Sequence, residues 1–265
     1  MYEFEHHKPA SVADAVSALK GADDGKLLAG GQTMIPTLKQ RLASPSDLID
    51  LSGVGELKGI TAGGGTVTIG AMTKHAEVAA SADVKSAVPA LAELADNIGD
   101  AQVRNMGTIG GSVANNDPAA DYPSACLALG ATIHTSKREI AADDFFTGLF
   151  ETALDEDEII TKISFPVPKK AAYEKFPNPA SRYALVGVFV AETGSGVRVA
   201  VTGAGQNGVF RVPEMESALG GNFSADAVSG IKVSESDLNA DIHASAAYRA
   251  HLITVMAKRA VAKAG

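Results

Sequence analysis

Three glycine-rich segments constrain this chain more than any other feature: Leu28-Ala29-Gly30-Gly31-Gln32-Thr33, Thr108-Ile109-Gly110-Gly111-Ser112-Val113 and Gly203-Ala204-Gly205-Gln206-Asn207-Gly208. Glycine, lacking a Cβ, lets a chain turn sharply and lets its backbone approach another group closely. The third segment matches G-x-G-x-x-G and follows a strand predicted at Val197 to Val201. That fingerprint works because its last glycine packs inside a helix whose N-terminus faces a pyrophosphate. Here Val209-Phe210-Arg211-Val212-Pro213 continues as a β-run, so a tight strand turn is expected and no cofactor is assigned to it. The first two segments place a glycine pair and a hydroxyl where an apolar strand ends or turns. Several backbone N–H groups could converge there on an anion. Neither carries a P-loop lysine. Such an anion would rest on the N–H groups, the Thr33 and Ser112 hydroxyls, and the positive end of a helix beginning near Pro36. A single Gly-Gly turn is more often only a turn.

The surrounding pattern predicts an α+β chain. Residues 2 to 53 read as strand (Tyr2 to His6), helix (Val12 to Leu19, capped by Ser11), strand (Lys26 to Ala29), helix (Met34 to Leu42) and strand (Asp47 to Leu51). A hairpin around Gly63-Gly64-Gly65 follows, then helices at Thr73 to Ser81 and Pro89 to Ile98. Thr108 to Ala114 reads as a second glycine-rich strand, Pro118 to Leu129 as a helix, Ala131 to Thr135 as a strand, Ala142 to Phe146 as a short helix and Glu158 to Phe165 as a strand. Pro166-Val167-Pro168 and Lys169-Lys170 mark the best internal boundary. This divides the chain into 1–165, with subdomains of about 1–53 and 54–165, and 166–265. Tyr173 to Phe176, Tyr183 to Ala191, Val197 to Ala204 and Val209 to Arg211 read as an antiparallel meander. The tail from Ala244 to Ala264 reads as a helix with one apolar face.

Composition narrows the chemistry. Lys and Arg number 23 against 31 Asp and Glu, a net charge of −8 without long runs of either sign, which argues against a nucleic-acid surface. The longest apolar stretch stops at Glu192, about half the length of a spanning helix, and the N-terminus lacks a hydrophobic signal core, so a cytoplasmic protein is expected. Cys126 is the single cysteine, which excludes an intrachain disulfide, a four-cysteine iron–sulfur cluster and a cysteine-rich zinc site built from this chain alone. Redox chemistry would therefore need an organic cofactor. The six histidines show no metalloprotease spacing and are assigned no role. No catalytic or metal-ligating residue is expected.

The run from Gln102 to Asp121, QVRNMGTIGGSVANNDPAAD, closely resembles the signature of the flavin-binding medium subunits of molybdenum hydroxylases, the carbon monoxide dehydrogenase and xanthine dehydrogenase type. Ala29-Gly30-Gly31-Gln32-Thr33 resembles that family's first phosphate loop, with Gln where many members have His. Asp143 to Gly148 and Tyr248 to Leu252 are also similar to family segments, so the resemblance runs from about residue 2 to residue 264.

The resemblance implies a two-subdomain FAD-binding fold of the PCMH (vanillyl-alcohol oxidase-like) type, plus a C-terminal domain with a three-stranded antiparallel sheet and helices. It implies FAD as cofactor. Ala29, Gly30, Gly31, Gln32 and Thr33, with Thr108, Ile109, Gly110, Gly111 and Ser112, would surround the pyrophosphate. Asn115, Asn116 and Asp121 would reach ribityl, ribose or adenine groups, and Asp121 could alternatively cap the following helix. Ile98 and Ile160 would line flavin or adenine, or serve as ordinary core. Lys175 would stand near the isoalloxazine, where a cation stabilises an anionic reduced flavin, and Tyr183 would cover a ring face; both could instead be surface residues of a sheet. The implied activity is that of an oxidoreductase subunit taking electrons from a [2Fe–2S] small subunit and passing them to an external acceptor. Substrate oxidation would lie in a molybdopterin-containing large subunit, and the assembly would be a dimer of heterotrimers. A free-standing flavoprotein oxidase and a FAD-less binding module of the same fold are the alternatives.

Overall fold

The computed structural model describes residues 1–265. The N-terminal unit runs β1 (Glu5–His7), α1 (Val12–Gly21), β2 (Gly25–Leu28), α2 (Met34–Lys39) and β3 (Asp47–Asp50). Helical crossovers make the strands parallel, in the order β1-β3-β2. Ser11 caps α1 as expected, its hydroxyl accepting from the Asp14 N–H at 3.1 Å. Ala15 and Leu19 of α1 pack with Ile49, Leu51, Val54, Leu57 and Met72 in a small core of their own.

The second unit begins with the expected hairpin, β4 (Ile60–Gly63) and β5 (Thr66–Gly70). Gly64 and Gly65 between them have φ of +58° and +76°, the pair of left-handed residues that a tight hairpin turn requires. Then come α3 (His75–Ala80), α4 (Ala82–Ala87), α5 (Pro89–Asp96), α6 (Ala101–Arg104), α7 (Ile109–Asn115) and α8 (Tyr122–Leu129). After them run β6 (Thr132–Thr135), β7 (Glu139–Ala141), α9 (Ala142–Phe145), the pair β8 (Phe146–Gly148) and β9 (Glu151–Thr152), and β10 (Ile160–Pro166). The sheet order β4-β5-β10-β6-β7 is antiparallel throughout. Every residue of α8 is buried, so this helix is apolar on all sides and lies inside the molecule.

Two sequence expectations are corrected in this unit. Residues 108–114 form the first turns of a helix rather than a strand: the Thr108 hydroxyl accepts from the Gly111 N–H at 3.2 Å, and Ile109 and Val113, one helical turn apart, both face the core. The single helix expected before Ser81 is followed by α4, started by Ser81 as N-cap.

The C-terminal region holds β11 (Lys170–Pro177), β12 (Ala184–Thr193), β13 (Gly196–Thr202), β14 (Phe210–Arg211), α10 (Pro213–Gly221) and α11 (Ala246–Ala264). The sheet is antiparallel in chain order; three strands are long, and a fourth of two residues is added at the edge. Helix α8 covers one face and α11 the other. Tyr173, Phe189, Ala191 and Ala200 accordingly join the core around α8, while Ala172, Val188, Val190, Val199 and Val201 join the core under α11. Burial on both faces explains why β12 reads as a continuous apolar run. No helix is long and apolar enough to cross a membrane.

Candidate functional site

The first two glycine segments meet backbone to backbone. A Cβ placed on Gly30 would stand 2.2 Å from the Met106 carbonyl oxygen and 2.7 Å from the Gly107 Cα, and one on Gly111 would stand 3.4 Å from the Ala29 Cβ. Gly31 has φ +72°, a left-handed turn out of the end of β2. The backbone N–H groups of Gly30, Gly31, Gln32 and Thr33 donate to no other residue of the chain. Thr33 sits at the N-cap of α2 without a side-chain cap. A row of free N–H groups beside a helix start and a Cβ-free contact is the arrangement that receives an anion.

The second segment behaves differently from expectation. The N–H of Ile109 donates to Thr73 O at 3.1 Å, that of Gly110 to Ala71 O at 2.8 Å, and that of Ser112 to Thr108 O at 3.0 Å, while Gly111 is held by the Thr108 hydroxyl. These groups therefore do not converge on a ligand. The segment 71–73 takes the first two and the start of α7 the others, and Gly110 serves packing: its Cβ would stand 2.5 Å from the Ala71 Cβ. What the segment turns toward Ala29 is its small Gly111 face.

Beyond α7, Asn116 closes the helix with φ +42° and its amide donates to Gly148 O and Glu151 O at 2.9 and 2.8 Å, leaving its buried Oδ1 without a partner. Asn115, one residue earlier, is half-buried. Asp121 occupies the N-cap position of α8 but makes no capping bond. Its Oδ1 instead accepts from the Tyr173 hydroxyl and pairs with Lys175 Nζ at 3.0 Å. Burial is the largest influence and holds the carboxyl above the usual carboxylate range, against the opposing pull of Lys175 and of the Tyr173 hydroxyl. No group of the chain donates to its Oδ2. Lys175 also donates to Asn97 O at 2.7 Å, next to Ile98, so its ammonium ties β11 to the end of α5 and the start of α8. It is thus an interior residue with a 6% exposed side chain, not a surface one. Ile98 lies half-buried against the core and Ile160 within it. Tyr183 is 56% exposed before β12, and partial burial with the negative Asp117 and Asp121 nearby pushes its phenol up. Gly203-Ala204-Gly205-Gln206-Asn207-Gly208 is the turn between β13 and β14, as the sequence indicated.

A model of the FAD binding domain in molybdopterin dehydrogenase matches residues 2–168. The chain is 35% identical over 274 residues to the carbon monoxide dehydrogenase medium chain of Hydrogenophaga pseudoflava, covering 97% of this chain and 96% of that one. The chain belongs to the FAD-binding medium subunits of molybdenum hydroxylases. A medium-subunit relative, the glyceraldehyde dehydrogenase medium chain of Sulfolobus acidocaldarius, is 37% identical over 273 residues, with 97% of each chain covered. Among solved structures, a carbon monoxide dehydrogenase from Hydrogenophaga pseudoflava superposes with a TM-score of 0.89 at 36% identity, over 99% of this chain and 97% of that one. This medium subunit is thus of an oxidoreductase family, and its cofactor is FAD. The chain's own residues fit that group: free N–H groups at 30–33 suit a pyrophosphate, and the unpartnered Asp121 Oδ2 and Asn116 Oδ1 suit hydroxyl or amino donors.

Sequence reasoning missed Asn97, Gly107 and Tyr173. The signal for Tyr173 was present: it lies two residues before Lys175 on one face of a strand. Nothing local marked Asn97, which contributes only a carbonyl.

Proposed function

We propose that this chain is the electron-transfer subunit of a heterotrimeric molybdenum hydroxylase, taking electrons from a [2Fe–2S] small subunit and passing them to an external acceptor. A molybdopterin-containing large subunit oxidises the substrate, the assembly is a dimer of heterotrimers, and it works in the cytoplasm. FAD, when bound, supplies a store that is filled by single electrons and emptied by one or two.

In this reading residues 1–165 hold FAD through subdomains 1–53 and 54–165, and 166–265 form the C-terminal domain that adds Lys175 and Tyr183. Gly30 to Thr33 bind the pyrophosphate through their N–H groups, with Ala29, Thr108, Ile109, Gly110, Gly111 and Ser112 shaping the cleft beside them. Asn115 and Asp121 take hydroxyl groups, Ile98 and Ile160 wall the cleft, Lys175 holds positive charge inside it and Tyr183 covers its mouth. The observation that supports the reading is the close contact of Gly30 with Met106 and Gly107, which brings the two sequence segments together. A single cysteine cannot supply the four thiolates of a [2Fe–2S] cluster, which supports a cluster held by a partner chain.

The isolated chain should bind FAD and be reduced by dithionite, and not by a hydroxylase substrate until both partner subunits are added. Turnover of a purine, an aldehyde or carbon monoxide by the lone chain would instead make it a free-standing oxidase. Absence of a flavin spectrum after addition of micromolar FAD would make it a binding module.

A further inference from the structure

Tyr173, Asp121 and Lys175 form a closed network whose parts come from separate segments. Tyr173 and Lys175 project from the same face of β11; Asp121 begins α8; Asn97 O ends α5. Tyr173 is 3% exposed, and its ring stacks on Phe189 of β12 with centroids 6.0 Å apart. Its hydroxyl reaches Asp121 across Gly187, the residue paired with Lys175 on β12. A Cβ on Gly187 would stand 2.4 Å from that hydroxyl, so the glycine makes the reach possible.

Both donors meet one carboxylate oxygen, Oδ1. A carboxylate buried this deeply is costly to ionise unless it is paired and hydrogen-bonded. With both donors in place the Asp121 charge offsets that of Lys175, and the pair presents little net charge to the cleft. Lys175 retains a third N–H beyond those given to Asn97 O and Asp121.

We propose that Tyr173 is a positioning residue that keeps Asp121 ionised against Lys175, and thereby sets how much positive charge Lys175 exerts on the bound flavin. This rests on the placement of Lys175 beside the flavin given under the proposed function. A lone cation there favours the negative charge that accumulates on the ring upon reduction. A neutralised one favours it less. The other ionisable groups facing the network are Tyr122, Cys126 and Glu174 within the fold, and Asp117 and Tyr183 at the mouth.

The test is the midpoint potential of FAD bound to the full chain, measured against pH for wild type and variants. FAD stoichiometry is recorded first, and wild type without FAD would overturn the proposed function itself. With FAD bound, Asp121→Asn should raise the potential at every pH and Lys175→Met should lower it. Tyr173→Phe should match wild type at high pH and rise toward Asp121→Asn as pH falls, because the weakened carboxylate then takes a proton. Gly187→Ala, which pushes the hydroxyl away, should reproduce the Tyr173→Phe profile. If Tyr173→Phe and Gly187→Ala bind FAD and run parallel to wild type across the pH range, the positioning role is wrong. An unmoved potential in Lys175→Met would show instead that Lys175 does not act on the flavin, overturning both the inference and that placement.

Discussion

Gly30 and Gly107 touch so closely that a Cβ on the first would lie 2.7 Å from the Cα of the second. The contact holds together segments that lie far apart in the chain, and it leaves no room for a side chain. Gly30→Ala should therefore part the loops, lowering FAD affinity by about tenfold or more, equivalent to ~1.4 kcal/mol, and lowering stability by ~1–3 kcal/mol. The ratio of flavin to protein absorbance after gel filtration checks the first, and thermal unfolding of the FAD-free chain checks the second. Gly63→Ala, whose Cβ meets nothing within 4 Å, is the matched control and should retain FAD.

The remaining glycines separate by their neighbours. Gly110→Val drives a branched side chain into Ala71 and should destabilise the protein before it affects ligand binding, so the chain should unfold at lower urea concentration with or without FAD. Gly205→Ala meets Gly208 O at 2.5 Å in the β13–β14 turn. It should also lower the unfolding midpoint, yet the surviving folded protein should carry FAD at the wild-type ratio. Loss of FAD from folded Gly205→Ala protein would restore the third glycine segment as a cofactor site.

His75 gives the protein a defined acid weakness. It is buried beside Tyr122, with ring centroids 5.4 Å apart, and burial followed by the nearby Arg104 charge lowers its pKa from 6.5 to about 4. The unfolded chain thus binds a proton that the folded chain refuses. Stability from this group is complete above pH 6.5 and is lost as pH falls toward about 4, a change of about 3 kcal/mol at most. His75→Phe should flatten that part of the curve of unfolding free energy against pH. An unchanged slope between pH 6.5 and 4 would show that His75 is not its source.

Arg249 of α11 donates to the carbonyls of Leu185 and Gly203 at 2.6 and 2.9 Å and pairs with Asp241 at 2.7 Å. It therefore clamps the starting end of β12 to the end of β13, just behind Tyr183. Removing it strands buried acceptors, so Arg249→Met should cost about 3 kcal/mol in urea unfolding. FAD should remain bound, because the clamp touches neither residues 29–33 nor residues 106–113.

Much of the fold was legible where local chemistry and tertiary packing agree. The Gly64-Gly65 turn, the Ser11 cap, the apolar run of β12 and the one-sided tail helix each carry their own signal. Residues 108–114 were misread because Thr108, Ile109 and Val113 favour strands and the glycine pair disfavours helix. Packing on Ala71 overrode both preferences, since only glycine lets the helix sit that close. The site divided the same way. Its glycine loops announce themselves by composition, whereas the pairing of Asp121 with Tyr173 spans 52 residues and depends on strand register and helix placement together.

The C-terminal sheet is a party wall. One side completes the core around α8 and the other the core under α11, so a chain cut after residue 168 would lose the surface against which α8 was formed. Inheritance of this half is constrained accordingly. A related C-terminal region could replace it only if the residues at Tyr173, Phe189, Ala191 and Ala200 came already shaped to that helix, so the halves must drift in concert across their shared masonry even where sequence similarity fades.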